Sequence, residues 1–330
     1  MNMRKIDVVL TTLTHEEVYM EQLRKEFAPA EIIHLKSNDA EGIAAALERA
    51  DVAILQGGLD ERYIKAPKLK WVHFDHAGLE KSAKPEVFKR GLIVTSSAGR
   101  SGPALAEHCM FFMLAQAYNF IEFYEAQKGH QYGGIEGTEE RRALFGQTVG
   151  ILGMGNTGKE LAVRAKAFNM NVIAYRRRDA EMPKGVDKMY YTDKGDSVDD
   201  FIKECDFLCI ALPLSDATHH LIGEKQLSLM KPSAVIVNMG RGSIIDEKAL
   251  IKALQEGRIG GAGLDTFEKE PLSSDSPLWD CPRTLLTPHC TPKVPDKTER
   301  SINVMLENAK RFRAEQPMLN VLTKEDMYTK

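Results

Sequence analysis

The chain has 330 residues, of which 43% are hydrophobic and 28% charged, and a net charge of -3. At roughly 150 residues per domain this length implies two compact domains whose cores need no disulfide staples. Such a composition excludes a disordered tail, a fibre and a disulfide miniprotein. The near-neutral charge argues against nucleic acid or an acidic membrane as partner, which leaves a small molecule as the expected ligand.

In chain order, apolar strand patterns alternate with amphipathic helical ones. Ile6 to Leu10 (IDVVL) leads into a charged helical stretch, then EIIHL, a second helical stretch, Asp51 to Leu55 (DVAIL), Leu69 to Phe74 (LKWVHF) and Leu92 to Thr95 (LIVT). This alternation means βα units around a mostly parallel sheet, so the first hundred residues read as one α/β domain. Ala104 to Gln127 is a long apolar helix pattern, too rich in large side chains for a surface element, and is expected to pack between domains or subunits. Within it, Met110 to Met113 reads as core packing. After the Gly-rich GHQYGGIEG, a strand opens at Thr148 to Leu152 (TVGIL), and strands recur at NVIAY, DFLCIAL, AVIVNM, GAGLD and TLLTP. These form a second α/β domain.

No apolar run reaches the ~20 residues needed to span a bilayer, and the opening MNMRKIDVVLTTLTHEE turns polar too soon for a secretory leader. A soluble, cytoplasmic protein is expected. The five cysteines, Cys109, Cys205, Cys209, Cys281 and Cys290, are odd in number and match no zinc spacing, which fits a reducing compartment. His219 and His220 have no carboxylate or thiolate at ligand spacing, so no metal site is expected. Cys290 beside His289 makes a poor Cys/His nucleophile pair, because neighbours on an extended segment point to opposite sides.

TVGIL runs directly into GMGNTG, which sets Gly153, Gly155 and Gly158 in the GxGxxG register, with Asn156 and Thr157 opening the helical run KELAVRAKAF. The first glycine permits a tight turn, the second lets a pyrophosphate approach the backbone, and the third lets helix and strand pack closely. The phosphates would sit on the helix N-terminus, where unpaired N–H groups favour an anion. The next strand, NVIAY, ends where an acidic residue would grip the adenosine ribose, but Arg176, Arg177 and Arg178 follow instead. A guanidinium pairs with a 2′-phosphate that a carboxylate would repel, so Arg176 and Arg177 favour NADP(H) over NAD(H). Arg178 reads equally as a solvated residue.

Three later segments carry polar groups just beyond strand ends, where open α/β sheets bind ligands. AVIVNMGRGSIIDEKAL holds Arg241, GAGLDTFEKEP holds Asp265 and Glu270, and LLTPHC holds His289. Reducing a 2-keto acid needs a cation for the carboxylate and carbonyl, a role for Arg241. It also needs a proton donor to the developing alkoxide, usually a histidine whose other nitrogen is held by a carboxylate; His289 and Glu270 fit. Asp265 fits the nicotinamide carboxamide.

On these motifs the chain resembles the D-isomer-specific 2-hydroxyacid dehydrogenase family, in its glyoxylate/hydroxypyruvate reductase-like branch. The elements are GMGNTG, DFLCIALPLSDATHHLIG, VNMGRGSIIDEKAL, GAGLDTFEKEPL and TPH. The resemblance implies Arg241 as the substrate-binding arginine and Glu270 with His289 as the acid/base pair. It also implies that Ala211, Leu212, Pro213, Thr218, Asn238, Met239, Gly240 and Asp265 surround the cofactor. HFDHAGLEK resembles the family's substrate-carboxylate loop, with the N–H groups of Ala77 and Gly78 as donors. The implied fold is two Rossmann-like or flavodoxin-like doubly wound domains with a cleft between them. In it a dinucleotide domain, residues 104–292, interrupts a substrate domain of residues 1–103 and 293–330, completed by a helix from about Lys297 to Glu315. The helix from Ala104 and the segment to about Arg142 resemble the family's dimerisation region, so a homodimer is expected.

Two departures stand out. SSAGRSGPALAEH lacks the usual Asn-Thr-Pro-Gly pattern, and CTPKVPDKTER replaces a small-residue turn after TPH. Arg100 and His76 therefore meet either a second anionic group on the substrate or an exposed ion-pair partner. The activity implied is interconversion of a small 2-keto acid and a D-2-hydroxy acid by hydride transfer. The same fold also serves dinucleotide-sensing, corepressor-like proteins, which is the alternative.

Overall fold

The structure, a computed structural model, describes residues 4–135, 138–139 and 142–330. They form two compact units, one of Met1–Ser101 with Val294–Lys330 and one of Gly102–Lys293.

In the first unit five short strands, β1 (Val8–Thr11), β2 (Glu31–His34), β3 (Val52–Leu55), β4 (Trp71–Phe74) and β5 (Ile93–Ser96), form one parallel sheet in the order β2-β1-β3-β4-β5. β1, β3 and β4 are buried along their whole length, as expected for strands covered on both faces, whereas β2 at the edge is not. One face packs Leu10, Ala53, Leu55, Val72 and Phe74 against helix Ala40–Leu47 and its neighbours. The other packs Val9, Ile54 and Trp71 against helices Glu17–Phe27 and Lys297–Arg313. Trp71 lies 5.2 Å from Phe312 and 6.2 Å from Phe27, ring centre to ring centre, so the C-terminal helix is part of this core.

In the second unit β6 (Thr148–Leu152), β7 (Asn171–Arg176), β8 (Lys188–Tyr191), β9 (Phe207–Ile210), β10 (Val235–Asn238), β11 (Gly261–Leu264) and β12 (Thr284–Leu286) form a parallel sheet in the order β12-β11-β10-β9-β6-β7-β8. The order reverses direction between β6 and β9. Such a switch point opens a crevice at the carboxyl ends of the strands.

The apolar stretch from Ala104 to Gln127 is two helices rather than one, Gly102–Ala117 and Phe120–Lys128. The break falls at Asn119, whose φ of 48° is left-handed; asparagine tolerates that conformation, and its Oδ1 accepts from Arg283 Nη1 at 3.2 Å. Part of the expected dimerisation segment, residues 136–137 and 140–141, lies outside the described residues. Among the described residues no helix is long and apolar enough to cross a membrane.

Candidate active site

The glycine loop follows β6 directly. Gly153 has φ 111°, and a Cβ there would come 2.7 Å from the Ala211 carbonyl oxygen at the end of β9. At Gly158 a Cβ would meet the Gly153 carbonyl at 2.1 Å, so helix Asn156–Ala167 sits hard against the turn. Nothing lies within 4 Å of the corresponding position at Gly155. Two glycines are therefore required by close packing, and the third leaves open backbone at a helix N-terminus beside Asn156 and Thr157. That is the cradle a pyrophosphate needs, and the residues fit a dinucleotide.

Arg176 ends β7. Its Nη2 donates to the carbonyls of Ala180 and Glu181, and its guanidinium lies 5.3 Å from the Tyr191 ring centre. It thus braces the turn on which Arg177 and Arg178 are exposed. Asp179 in the same turn pairs with Lys194 at 2.8 Å. Ala211, Leu212 and Pro213 leave β9, and Thr218 ties that loop internally, accepting from Ser215 N–H at 2.7 Å and donating to the Pro213 carbonyl at 2.8 Å.

Asn238, at the end of β10, shapes the next turn from both ends of its amide. Its Oδ1 accepts from Gly240 N–H at 3.0 Å, and its Nδ2 donates to the Arg241 carbonyl at 3.0 Å. Met239 is buried beneath. A Cβ at Gly242 would fall 1.8 Å from the Phe267 carbonyl carbon, so the Arg241 turn is pressed against the segment that carries Glu270. Arg241 itself is half-buried, with Nη1 donating to the Gly240 carbonyl at 3.0 Å.

Glu270 and His289 meet: His289 Nδ1 lies 2.8 Å from Glu270 Oε2, while Glu270 Oε1 accepts from Phe267 N–H at 3.1 Å. Their side chains are 36% and 37% exposed, close to solvent yet held. Asp265, just beyond β11, is buried; its Oδ1 accepts from the Thr287 hydroxyl at 2.6 Å and from Cys290 N–H at 3.1 Å. Cys290 Sγ also faces Asp265, at 4.0 Å, and His289 has φ 46°. The expected extended segment is a left-handed turn, which still sends the two side chains to different partners.

His108, on helix Gly102–Ala117, contacts Thr291 through Nδ1 and lies 3.5 Å from the Thr287 hydroxyl through Nε2. No sequence motif gives His108, Thr287 or Thr291 a role, because the contacts between them join positions far apart in the chain. His220 pairs with Glu268 at 2.5 Å, and among the described residues no group of three or more His, Cys, Asp or Glu is arranged to hold a metal.

In the first unit Ala77 and Gly78 follow β4, Ala77 exposed and Gly78 half-buried. Behind them is a buried polar cluster. Asp75 Oδ1 lies 3.3 Å from both Arg100 Nη1 and His15 Nε2 and accepts from the Ser301 hydroxyl. Burial alone would raise the Asp75 pKa, but the nearby His15 ring, the hydrogen bond from the Ser301 hydroxyl and the charge of Arg100 outweigh it and hold the carboxyl at about 2. Arg100 makes an ion pair, but a buried one with Asp75 rather than the exposed pairing expected as the alternative to substrate contact. His76 stacks on Phe74 at 5.1 Å, and burial lowers its pKa.

Residues 110–291 match the model of the D-isomer specific 2-hydroxyacid dehydrogenase, NAD binding domain, family. The chain is 38% identical over 249 residues to glyoxylate/hydroxypyruvate reductase B of Pectobacterium carotovorum, covering 74% of this chain and 76% of that one. It is 33% identical over 280 residues to a glyoxylate reductase of Korarchaeum cryptofilum, covering 83% and 82%. Among solved structures, an NADPH-dependent glyoxylate/hydroxypyruvate reductase from Sinorhizobium meliloti, in complex with NADP and sulfate, aligns over 96% of this chain and 98% of its own, with TM-score 0.78 and 26% identity. A glyoxylate reductase from Paecilomyes thermophila aligns over 97% and 99%, with TM-score 0.79 and 26% identity.

Proposed function

The chain belongs to the D-isomer specific 2-hydroxyacid dehydrogenase family and is an NAD(P)-dependent oxidoreductase; on that premise we propose that it reduces small 2-keto acids of the glyoxylate/hydroxypyruvate class with NADPH. The observation that carries the reading is the His289–Glu270 contact at 2.8 Å, on a segment packed against the Arg241 turn.

When bound, the dinucleotide would supply the hydride that reduces the keto carbon. Gly153, Gly155 and Gly158 with the start of helix Asn156–Ala167 would hold its pyrophosphate, and Asp265 its carboxamide. Arg241 binds the substrate carboxylate through paired N–H groups and draws charge toward the carbonyl oxygen. Glu270 engages Nδ1 of His289, which leaves Nε2 as the nitrogen that gives the proton to the forming alkoxide. The N–H groups of Ala77 and Gly78 are proposed as further carboxylate donors.

Preference for NADPH rests on the run Arg176 to Arg178. Arg176 shapes the turn, Arg177 is exposed on it, and the acidic Asp179 is already paired with Lys194. A homodimer is proposed from a row of exposed aromatic residues on the two helices after Ser101. Phe111, Phe120 and Tyr124 are each about half exposed and in ring contact, an arrangement suited to burial against a second copy.

The test is dinucleotide oxidation against a panel of 2-keto acids. The wild type is expected to prefer NADPH to NADH by about tenfold or more in kcat/KM, and Arg177→Asp to erase that preference. Arg241→Ala should raise KM and lower kcat together, since Arg241 serves both ground state and transition state. Tight dinucleotide binding with no turnover on any keto acid would overturn the reading.

A further inference from the structure

Thr287 to Thr291 carries His289 in a left-handed backbone conformation that few non-glycine residues adopt. With φ at 46°, the turn is held by side-chain contacts on two sides. On one side the loop is fastened through Asp265, which takes the Thr287 hydroxyl and the Cys290 N–H on a single oxygen. The other side has a different fastening. His108 reaches the Thr291 hydroxyl through Nδ1 and the Thr287 hydroxyl through Nε2, so its ring bridges the residues flanking Pro288, His289 and Cys290.

The protons in this bridge can be assigned. Thr287 gives its only hydroxyl hydrogen to Asp265 at 2.6 Å, so toward His108 it can only accept. Nε2 of His108 therefore carries the hydrogen, and Nδ1 accepts from the Thr291 hydroxyl. A neutral ring meets both demands, and burial lowers the pKa of His108 in that direction. The ring is itself fixed, since it lies on helix Gly102–Ala117 and stacks on Phe112 at 4.5 Å with planes 28° apart.

We propose that His108 is a positioning residue that locks the turn bearing His289, closing a hydrogen-bonded ring through Thr287, Asp265, Cys290 and Thr291. It moves no proton to substrate. It sets where the His289 imidazole stands when Glu270 holds its Nδ1, and this role rests on the acid/base reading of His289 and Glu270.

The test measures His108→Ala, His108→Gln, Thr291→Val, the His108→Ala/Thr291→Val double variant and His289→Ala together, by steady-state kinetics and by fluorescence titration with NADPH. His108→Ala is expected to lower kcat by roughly 10- to 100-fold, with KM for the keto acid and Kd for NADPH within about threefold of wild type. His108→Gln, whose amide offers one donor and one acceptor group, should return kcat to within about fivefold of wild type. The double variant should be no slower than His108→Ala by more than about twofold, because Thr291→Val removes a contact that His108→Ala has already removed. Should His108→Ala fail to fold, Thr291→Val, nearly isosteric, should still lower kcat by about fivefold at unchanged Kd. If kcat is unchanged in folded His108→Ala, if its loss appears in KM or Kd alone, or if losses in the double variant multiply, the positioning role is wrong. If His289→Ala retains wild-type kcat, the acid/base reading itself fails and this role falls with it; an inactive His289→Ala beside a wild-type-like His108→Ala overturns the positioning role only.

Discussion

At the carboxyl end of β4, Asp75 is 9% exposed and faces Arg100 at 10% and His15 at 11%; beyond β11 and β12, Glu270 and His289 are 36% and 37% exposed. Each place holds a carboxylate against basic groups at the carboxyl end of its own parallel sheet, yet the physics differs. In the first, the groups are about nine-tenths buried and the carboxylate takes the Ser301 hydroxyl beside Arg100 and His15, with Ser301 tying the C-terminal helix to the loop after β4 and Ser97. Such a pair is costly to split, because removing one partner strands a buried charge. In the second, solvent screening leaves the pair worth about 0–1 kcal/mol to folding, so stability is a poor reason for its presence. One strand end is closed by its polar groups, and the other presents them.

Two substitutions can break this contrast. His289→Ala should lower kcat by about a thousandfold, equivalent to roughly 4 kcal/mol in the barrier, while the thermal midpoint moves by no more than about 2 °C. A large fall in Tm would mean that the exposed pair also holds the fold. Asp75→Ala should do the reverse, lowering unfolding free energy by on the order of 3 kcal/mol in a urea titration, because Arg100 loses its buried counter-charge. Stability within about 0.5 kcal/mol of wild type would show the Asp75 cluster to be dispensable and the contrast mistaken.

What the sequence discloses about each place follows the same divide. The glycine turn, the Arg241 turn and the strand ends bearing Glu270 and His289 are readable because each chemistry lies in one short run beside an apolar strand. The Asp75 cluster joins residues near positions 15, 75, 100 and 301, and the His108–Thr291 contact joins residues 183 apart. No local pattern encodes such meetings; they follow from sheet order and from the return of the last helix. Arg100 illustrates the loss. Its neighbours along the chain leave substrate contact and ion pairing equally open, and only the packed fold supplies Asp75. The break at Asn119 is missed for a related reason, since the apolar pattern continues across it and the deciding contact comes from Arg283.

The smallest effect sharpens the contrast by pH. His73 on β4 is fully buried between the hydroxyls of Thr95 at 2.8 Å and Ser97 at 3.0 Å, and burial pushes its pKa down from 6.5 to about 3. The folded chain keeps this ring neutral, whereas the unfolded chain protonates it below about pH 6.5. Between these values the unfolded state binds more protons, so the stability of this unit rises with pH and is lost as pH falls, by up to about 1.4 kcal/mol per pH unit. Asp75, held at about 2 against an ordinary 3.8, adds to the loss only in the more acidic range. Urea midpoints at pH 7, 6 and 5, followed by Trp71 fluorescence in a Trp279→Phe background, isolate the buried sheet, because Trp71 is its fully enclosed reporter. His73→Gln keeps a donor and an acceptor but cannot titrate, so its midpoints should fall less steeply with acid than those of wild type. Equal slopes in the two proteins would remove His73 as the source of acid sensitivity in the buried sheet.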